Sequence, residues 1–489
     1  MSLFYSLISL FLLVVFSATG DELSPSQQNF LAGLARDRYA GRWLNLTTNQ
    51  LKELRLKAED YGQRFRDRHL SDGMVVSLRY RSLQSNEVIS YENLEKSAAH
   101  TGLYLGTCAY RWMVLRESEN LKDIRMALTG LNRAVQSTGR SGVIPRFVGK
   151  AEDSRYREAY SKFGGEDPQR LGFGRLAFRG EGEQTNLVWL GGATREDYAG
   201  VNWGLSTLLV STRDLEIRNQ VSNIVVRVVS RLDQDSWRLN DGKGEFSFID
   251  PVLVTAWLRT AVVIDPKKYS EKYNKQVTEL HGSRKSDLSD SGFCRYGDPA
   301  PAFFRLANLM ALNQSETNYA RHIIFQEMIS KVWRQSQAVL NPWPALVYLG
   351  AFEPTPTDST AWAILQGLLY EYPSAPRWSA RLNLSENREI DQLQANGERW
   401  TRYAQLISKR PSVPFLWSYP STQTVGGLDE PVVHPGLDFL LAYWMARHFG
   451  VTPSDELDLS ITQIKPRVFG GAAIPGSSLQ ATNRPAAGQ

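Results

Sequence analysis

Thr101-Gly102-Leu103-Tyr104-Leu105-Gly106 is the stretch on which the fold turns. It is apolar, suits a helix, and carries glycine close to the helix start. The same Gly-Leu pattern returns in Trp203-Gly204-Leu205-Ser206-Thr207-Leu208-Leu209, in Gln366-Gly367-Leu368-Leu369-Tyr370 and in Pro435-Gly436-Leu437-Asp438-Phe439-Leu440-Leu441. Glycine inside a helix costs about 1 kcal/mol relative to alanine. A chain that repeats this cost needs its helices to approach closely around a crowded centre. The segments between are ordinary amphipathic helices. In 120–137, Leu121, Ile124, Leu128, Leu131 and Val135 recur at three and four, whereas 97–116 is apolar nearly all round, as a buried helix is. Inner apolar helices alternating with outer amphipathic ones predict a ring of helical hairpins.

Working outward, the pattern predicts helices over 50–69, 195–211, 213–232, 316–336, 342–349, 359–371 and 435–448. Asp250-Pro251, Asp265-Pro266 and Asp298-Pro299 are start signals, with Asp as N-cap and Pro at the first helical position. They open helices over 251–263, 266–281 and 299–312. Residues 74–80 alternate weakly and suit a short strand. A long irregular loop is expected over 138–193, of the kind that carries function. Residues 373–430 hold Trp378, Trp400 and Trp417 among prolines and polar residues, and are expected to be part helix, near 386–408, and part loop. No large sheet is expected.

The 489 residues are 42% apolar and 22% charged, ordinary globular values. Core packing accounts for most of the 13 Trp, 20 Tyr and 20 Phe. The remainder can line a groove, where sugar rings stack on aromatic faces. A net charge of +5 with no Lys/Arg block gives no reason to expect nucleic acid. The first residues run apolar from Leu7 to Phe16 and end in Ala18-Thr19-Gly20, which predicts an export signal over 1–20. No Lys or Arg precedes the apolar run, so an uncleaved membrane anchor stays open, although the run is short for a full span. A single domain is expected over 21–465 and a Pro/Gly-rich tail over 466–489. Cys108 and Cys294 can pair in an exported protein or remain thiols. The spacing of His281, His322, His434 and His448 fits no metal motif. No phosphate loop or G-x-S-x-G is present. No metal or cofactor is therefore expected, and the sequence leaves oligomeric state open.

With these segments in place, the chain resembles the six-hairpin (α/α)6 toroid proteins, found among secreted glycoside hydrolases and polysaccharide lyases. The resemblance rests on Ala98-Ala99-His100-Thr101-Gly102-Leu103-Tyr104-Leu105, on Thr194-Arg195-Glu196-Asp197-Tyr198-Ala199-Gly200-Val201-Asn202-Trp203-Gly204-Leu205 and on Gly436-Leu437-Asp438-Phe439-Leu440-Leu441-Ala442-Tyr443-Trp444-Met445. It covers roughly 90–450. It implies an all-α toroid with a site at one end, where inner helices begin, and an oligo- or polysaccharide as partner. No family's catalytic signature matches, so no role is carried over.

Glycoside cleavage needs two carboxyl groups, one protonated and one ionised. Glu95, Glu196, Asp197, Asp250, Asp358 and Asp438 fall near predicted inner-helix starts. Asp250, Asp298 and Asp358 read as N-caps, and Thr194 with Asp197 is capping-box-like. The face of Asp438 continues through Leu441, Ala442 and Met445, where burial would keep a carboxyl protonated. Asp438 is therefore the expected acid and Asp197 the expected base. Glu95, His100, Arg195, Tyr198 and Trp203 are the expected substrate contacts. The sequence thus points to an exported, glycan-active enzyme, first of all a glycoside hydrolase. Two alternatives stand beside it. One is a uronate-acting lyase or epimerase using His100, Tyr198, Arg195 and Arg146. The other is an envelope scaffold that binds glycan or protein without chemistry.

Overall fold

The computed structural model describes residues 46–156, 177–240, 246–282, 299–336, 340–352, 359–382, 392–395, 398–401, 406–407, 410–419 and 425–452. The predicted signal, the tail, Cys294, Asp298 and Asp358 lie outside them. The described helices are α1 (Thr48–Arg64), α2 (Ser97–Leu115), α3 (Ser118–Ser137), α4 (Arg195–Ser211), α5 (Leu215–Gln234), α6 (Pro251–Ile264), α7 (Pro266–Gly282), α8 (Ala300–Ser315), α9 (Tyr319–Ser336), α10 (Pro342–Ala351), α11 (Ser359–Glu371) and α12 (Leu437–His448). Local chemistry starts them where the sequence says. Asp214 accepts from the Ile217 N–H, Asp250 from Val252 and Asn341 from Trp343, and Pro251 and Pro342 follow their caps.

Even-numbered helices are inner and odd-numbered ones outer. In α2 every residue from Ser97 to Tyr110 is buried, and in α12 every residue from Leu437 to Ala446. The outer α5 buries only the stripe Ile217, Val221, Ile224, Val228 and its neighbours. Inner neighbours pack in the order α12, α2, α4, α6, α8, α10 and back to α12, while α11 and α12 lie against α1 and close the ring. The chain is a helical toroid of six hairpins.

The tightest seam is α2 on α4, and glycine makes it. A Cβ on Gly102 would sit 2.2 Å from the Gly200 carbonyl oxygen, and one on Gly204 would sit 2.1 Å from that of Gly102. At the centre, the Thr260 hydroxyl donates to Asn202, whose amide donates to Asn308, whose amide donates to the Phe304 carbonyl. This satisfied polar chain ties α6, α4 and α8 in one register. Gly436 differs from the other glycines. It precedes α12 as its N-cap with φ 66°, and Pro435 lies outside the helix rather than at its first position.

Strands refine the expectation of loops. The 138–193 region contains the antiparallel sheet β5 (Phe147–Lys150), β7 (Leu187–Leu190) and β6 (Ala177–Arg179), in that spatial order. The helix expected near 386–408 is corrected: Gln392–Ala395 and Glu398–Thr401 pair as an antiparallel hairpin. Its signal was Asn396-Gly397, a two-residue hairpin pair. The largest sheet has four strands, ordered β10 (Trp378–Leu382), β13 (Val425–Val433), β3 (Ser77–Tyr80) and β4 (Val88–Glu92). It joins the region ahead of α2 to the region ahead of α12, and so fixes what lies over the inner-helix starts.

Candidate functional site at the mouth of the toroid

The N-terminal ends of α2, α8, α10 and α12 converge on one segment, 410–419. Phe415 packs 5.7 Å from the His100 ring at the start of α2 and 5.0 Å from Phe303 at the start of α8. The Leu416 N–H donates to Asp438 Oδ2 (2.8 Å), and the Trp417 indole donates to the Asp438 carbonyl (2.7 Å). Asn341, which caps α10, donates to the Trp417 carbonyl, and the buried Arg410 donates to the Leu340 carbonyl. Phe415 and Trp417 are each 1% exposed. The mouth is therefore strapped by the chain itself.

Beside the strap is a small pocket of ≈ 20 Å³, room for about one water molecule. Tyr61, Tyr372, Arg377, Ser412, His434 and Asp438 supply its polar groups, and Pro373, Pro376 and Pro411 are among its apolar lining. Asp438 is the one carboxylate among these residues. Its Oδ1 accepts from the Tyr372 hydroxyl (2.8 Å) and the Phe439 N–H (2.9 Å), and its Oδ2 from Leu416. Burial raises the pKa of Asp438, and the hydrogen bonds oppose the rise. Burial also raises the Tyr372 hydroxyl well above its ordinary range, so it stays a donor.

Asp197 is elsewhere. Its Oδ2 accepts from the Thr194 N–H (2.8 Å) and hydroxyl (3.0 Å), closing the capping box of α4. Its Oδ1 is buried without a hydrogen-bond partner. Burial raises its pKa, against the pull of Arg146 and Lys96. Glu196 lies 4.0 Å from Lys96. The Arg146 guanidinium donates to the carbonyls of Gly192 and Glu95. These residues form a second cluster over the starts of α2 and α4, and none of them lines the pocket with Asp438.

The other expected contacts have structural partners. Trp203 is fully buried, edge-on to Trp343 at 5.5 Å and stacked on Tyr110, so it is core and shapes no groove. The buried Tyr198 hydroxyl accepts from the Ile144 N–H (3.1 Å), and burial pushes its pKa up. Arg195 is exposed at the first position of α4. His100 contacts Asn93 through Nδ1 (3.2 Å), and burial with Lys96 nearby lowers its pKa to about 3. Sequence reasoning missed Tyr61, Tyr372, Arg377, His434 and the strap. The usable signal was Pro411-Ser412-Val413-Pro414 ahead of Phe415-Leu416-Trp417, an extended segment followed by a large apolar cluster. Among the described residues, no group of His, Cys, Asp and Glu converges as a metal site needs, and no helix is long and apolar enough to cross a membrane.

No protein-family model matches the chain, and no curated protein matches it. Among solved structures it is similar to endoglucanase CelQ from Clostridium thermocellum complexed with cellotriose. The TM-score is 0.39 and the identity 10%, over 78% of this chain and 63% of that one. The same enzyme complexed with cellotetraose gives a TM-score of 0.39 at 10% identity, over 77% and 62%. The chain thus spans just under two thirds of that enzyme's length. Its class, a six-hairpin helical toroid, rests on the packing order of its own helices.

Proposed function

We propose that the protein is exported and binds an oligo- or polysaccharide at the toroid mouth, over the pocket of Tyr61, Tyr372 and Asp438, without cleaving it. One observation carries this reading: the two carboxyls expected as acid and base do not share a site. Both oxygens of Asp438 accept hydrogen bonds from the protein, Asp197 closes the capping box of α4, and among the described residues no second carboxylate lines the pocket with Asp438. Hydrolysis needs a second carboxyl within about 5–10 Å across the scissile bond. The pocket itself has room for about one water, so a sugar would lie across the mouth, with the aromatic and proline walls and the polar groups at the rim as its contacts. Hydrolysis is the second reading. It is favoured by the burial of Asp438, which shifts the carboxyl's pKa upward, the direction a general acid needs.

The test is a panel of neutral and acidic polysaccharides, assayed for retardation in affinity electrophoresis, for new reducing ends and for unsaturated uronate products. Retardation without either product is expected. Ser412→Phe, which fills the pocket from its partly exposed side, should abolish retardation while the circular-dichroism spectrum stays unchanged. Reducing ends released by the wild type and lost in Asp438→Asn would establish the hydrolase instead. Unsaturated products would establish elimination, and no retardation by any glycan overturns the reading.

A further inference from the structure

Two histidines hang on one short corner of the chain, Val75–Ser77, and a third stands on the helix packed beside it. His69, in the π-turn that ends α1, holds the Val76 carbonyl through Nδ1 (3.0 Å). His434, which follows β13 and lines the pocket, meets the Ser77 hydroxyl through Nδ1 (2.9 Å). On α2, Ser97 donates to the Val75 carbonyl and Thr101 accepts from the Val75 N–H. His100 lies between them in sequence and faces the strap residue Phe415. All three rings are at least nine-tenths buried, and the polar contact each makes is to an uncharged group. The charged groups around them are mostly of the wrong sign for an imidazolium: Arg68 acts on His69, Lys96 on His100, and Arg377 shares the pocket with His434. Tyr61 and Tyr372 are uncharged there, and Asp438 is the one acidic group among the described residues that line the pocket.

We propose that His100, packed on Phe415, and His434, in the pocket beside the strap, form an acid-sensitive latch that keeps the 410–419 strap seated at neutral pH and unseats it on acidification. One imidazolium beneath Phe415 or in the pocket is desolvated, and each raises the cost of the next. Burial lowers His69 to about 4 and His100 and His434 to about 3, and His69 and His100 further disfavour charge on His434. An unseated strap returns the rings to water and to an ordinary value near 6.5. The open form then binds more protons than the closed form between the two values. Opening gains about tenfold per pH unit for each ring as pH falls below 6.5. Asp438 opposes this, because burial raises its pKa in the closed form and acid therefore favours closure through that one group. The two rings that meet the strap gain up to about a hundredfold per pH unit, and Asp438 takes back at most about tenfold of it.

Hydrogen–deuterium exchange of the peptide covering 410–419, corrected for the intrinsic rate, tests the latch on the full chain. Exchange should rise about tenfold or more from pH 6 to pH 5 while peptides from α2 and α4 stay protected. His100→Gln and His434→Gln should each cut that slope by about tenfold per pH unit. The chain has six histidines, so exchange at the imidazole C2 hydrogen resolves each in the wild type even where a variant does not fold. His69, His100 and His434 should titrate below about pH 5. An ordinary value near 6.5 at His100 and His434 overturns the proposal. So does a strap that exchanges only together with α2 and α4.

Discussion

Two identical substitutions should move stability in opposite directions, because one glycine faces backbone and the other faces space. At Gly102 an added Cβ meets the Gly200 oxygen at 2.2 Å, against about 3.4 Å for ordinary contact, a shortfall of 3.4 − 2.2 = 1.2 Å. The obstacle is the backbone of α4, so no side chain can swing aside, and the two inner helices must part. Overpacking of this kind costs about 1–3 kcal/mol, and an immovable neighbour puts it near 3. Alanine returns about 1 kcal/mol of helix propensity. Gly102→Ala should therefore destabilise by about 2 kcal/mol. At Gly62, in the outer α1, the nearest atom is the Arg66 guanidinium tip at 3.5 Å, a flexible end at ordinary contact distance. Gly62→Ala should stabilise by up to about 1 kcal/mol. Urea denaturation followed by far-ultraviolet circular dichroism measures both, read as midpoint shifts at constant slope. A Gly102→Ala variant as stable as the wild type, or shifted upward like Gly62→Ala, would refute close α2–α4 packing as the reason for the glycine.

Asp438→Asn presents an NH2 group where the carboxylate accepted from Tyr372, Phe439 or Leu416, so at least one buried donor loses its partner; a loss of about 1–3 kcal/mol in the same assay is expected. Asp197→Ala removes the N3 half of the α4 capping box, leaves Thr194 as N-cap, and should cost about 0.5–1.5 kcal/mol, with faster exchange confined to the first turn of that helix. Lys57 donates to the carbonyls of Leu369, Tyr370 and Tyr372 at the end of α11, yet burial lowers its pKa to about 8. The folded chain thus binds fewer protons than the unfolded chain between about pH 8 and the ordinary lysine range. Stability should rise with pH there by up to about 1.4 kcal/mol per unit, and Lys57→Met should flatten that rise. A slope that is the same in both chains would disprove the assignment.

The architecture was legible because its two signals are local and strong. Helical periodicity and Asp-Pro or Asn-Pro starts mark the inner and outer helices within a few residues, and glycine marks the seam they share. The strands were less legible. Leu187-Val188-Trp189-Leu190 has no alternation to separate it from a buried helix turn, since three of its four positions are buried. The site was legible only in part. Asp438 and His100 do lie at the mouth, because a helix start is visible in sequence and a ring gathers such starts. What covers them was not visible. The strap reaches Asp438 from 22 residues away, and Tyr372 reaches it from 66. Contacts made across the ring leave no periodicity to read.

The strap also explains how a carboxylate can sit 2% exposed on an apolar helix face. An unpaired ionised carboxyl there would cost several kcal/mol. Two backbone N–H groups and one hydroxyl supply charge-assisted bonds that offset it. One of those N–H groups belongs to the strap, so the carboxylate holds the strap as firmly as the strap satisfies the carboxylate. The same donors bear on its chemistry. A general acid must give its proton to a leaving group within hydrogen-bond reach, whereas both oxygens of Asp438 already serve the protein. Oδ2 nonetheless accepts the Leu416 bond alone and keeps a lone pair, so what separates Asp438 from a sugar at the mouth is burial, at 2% exposure beneath the strap, rather than a lack of acceptor capacity.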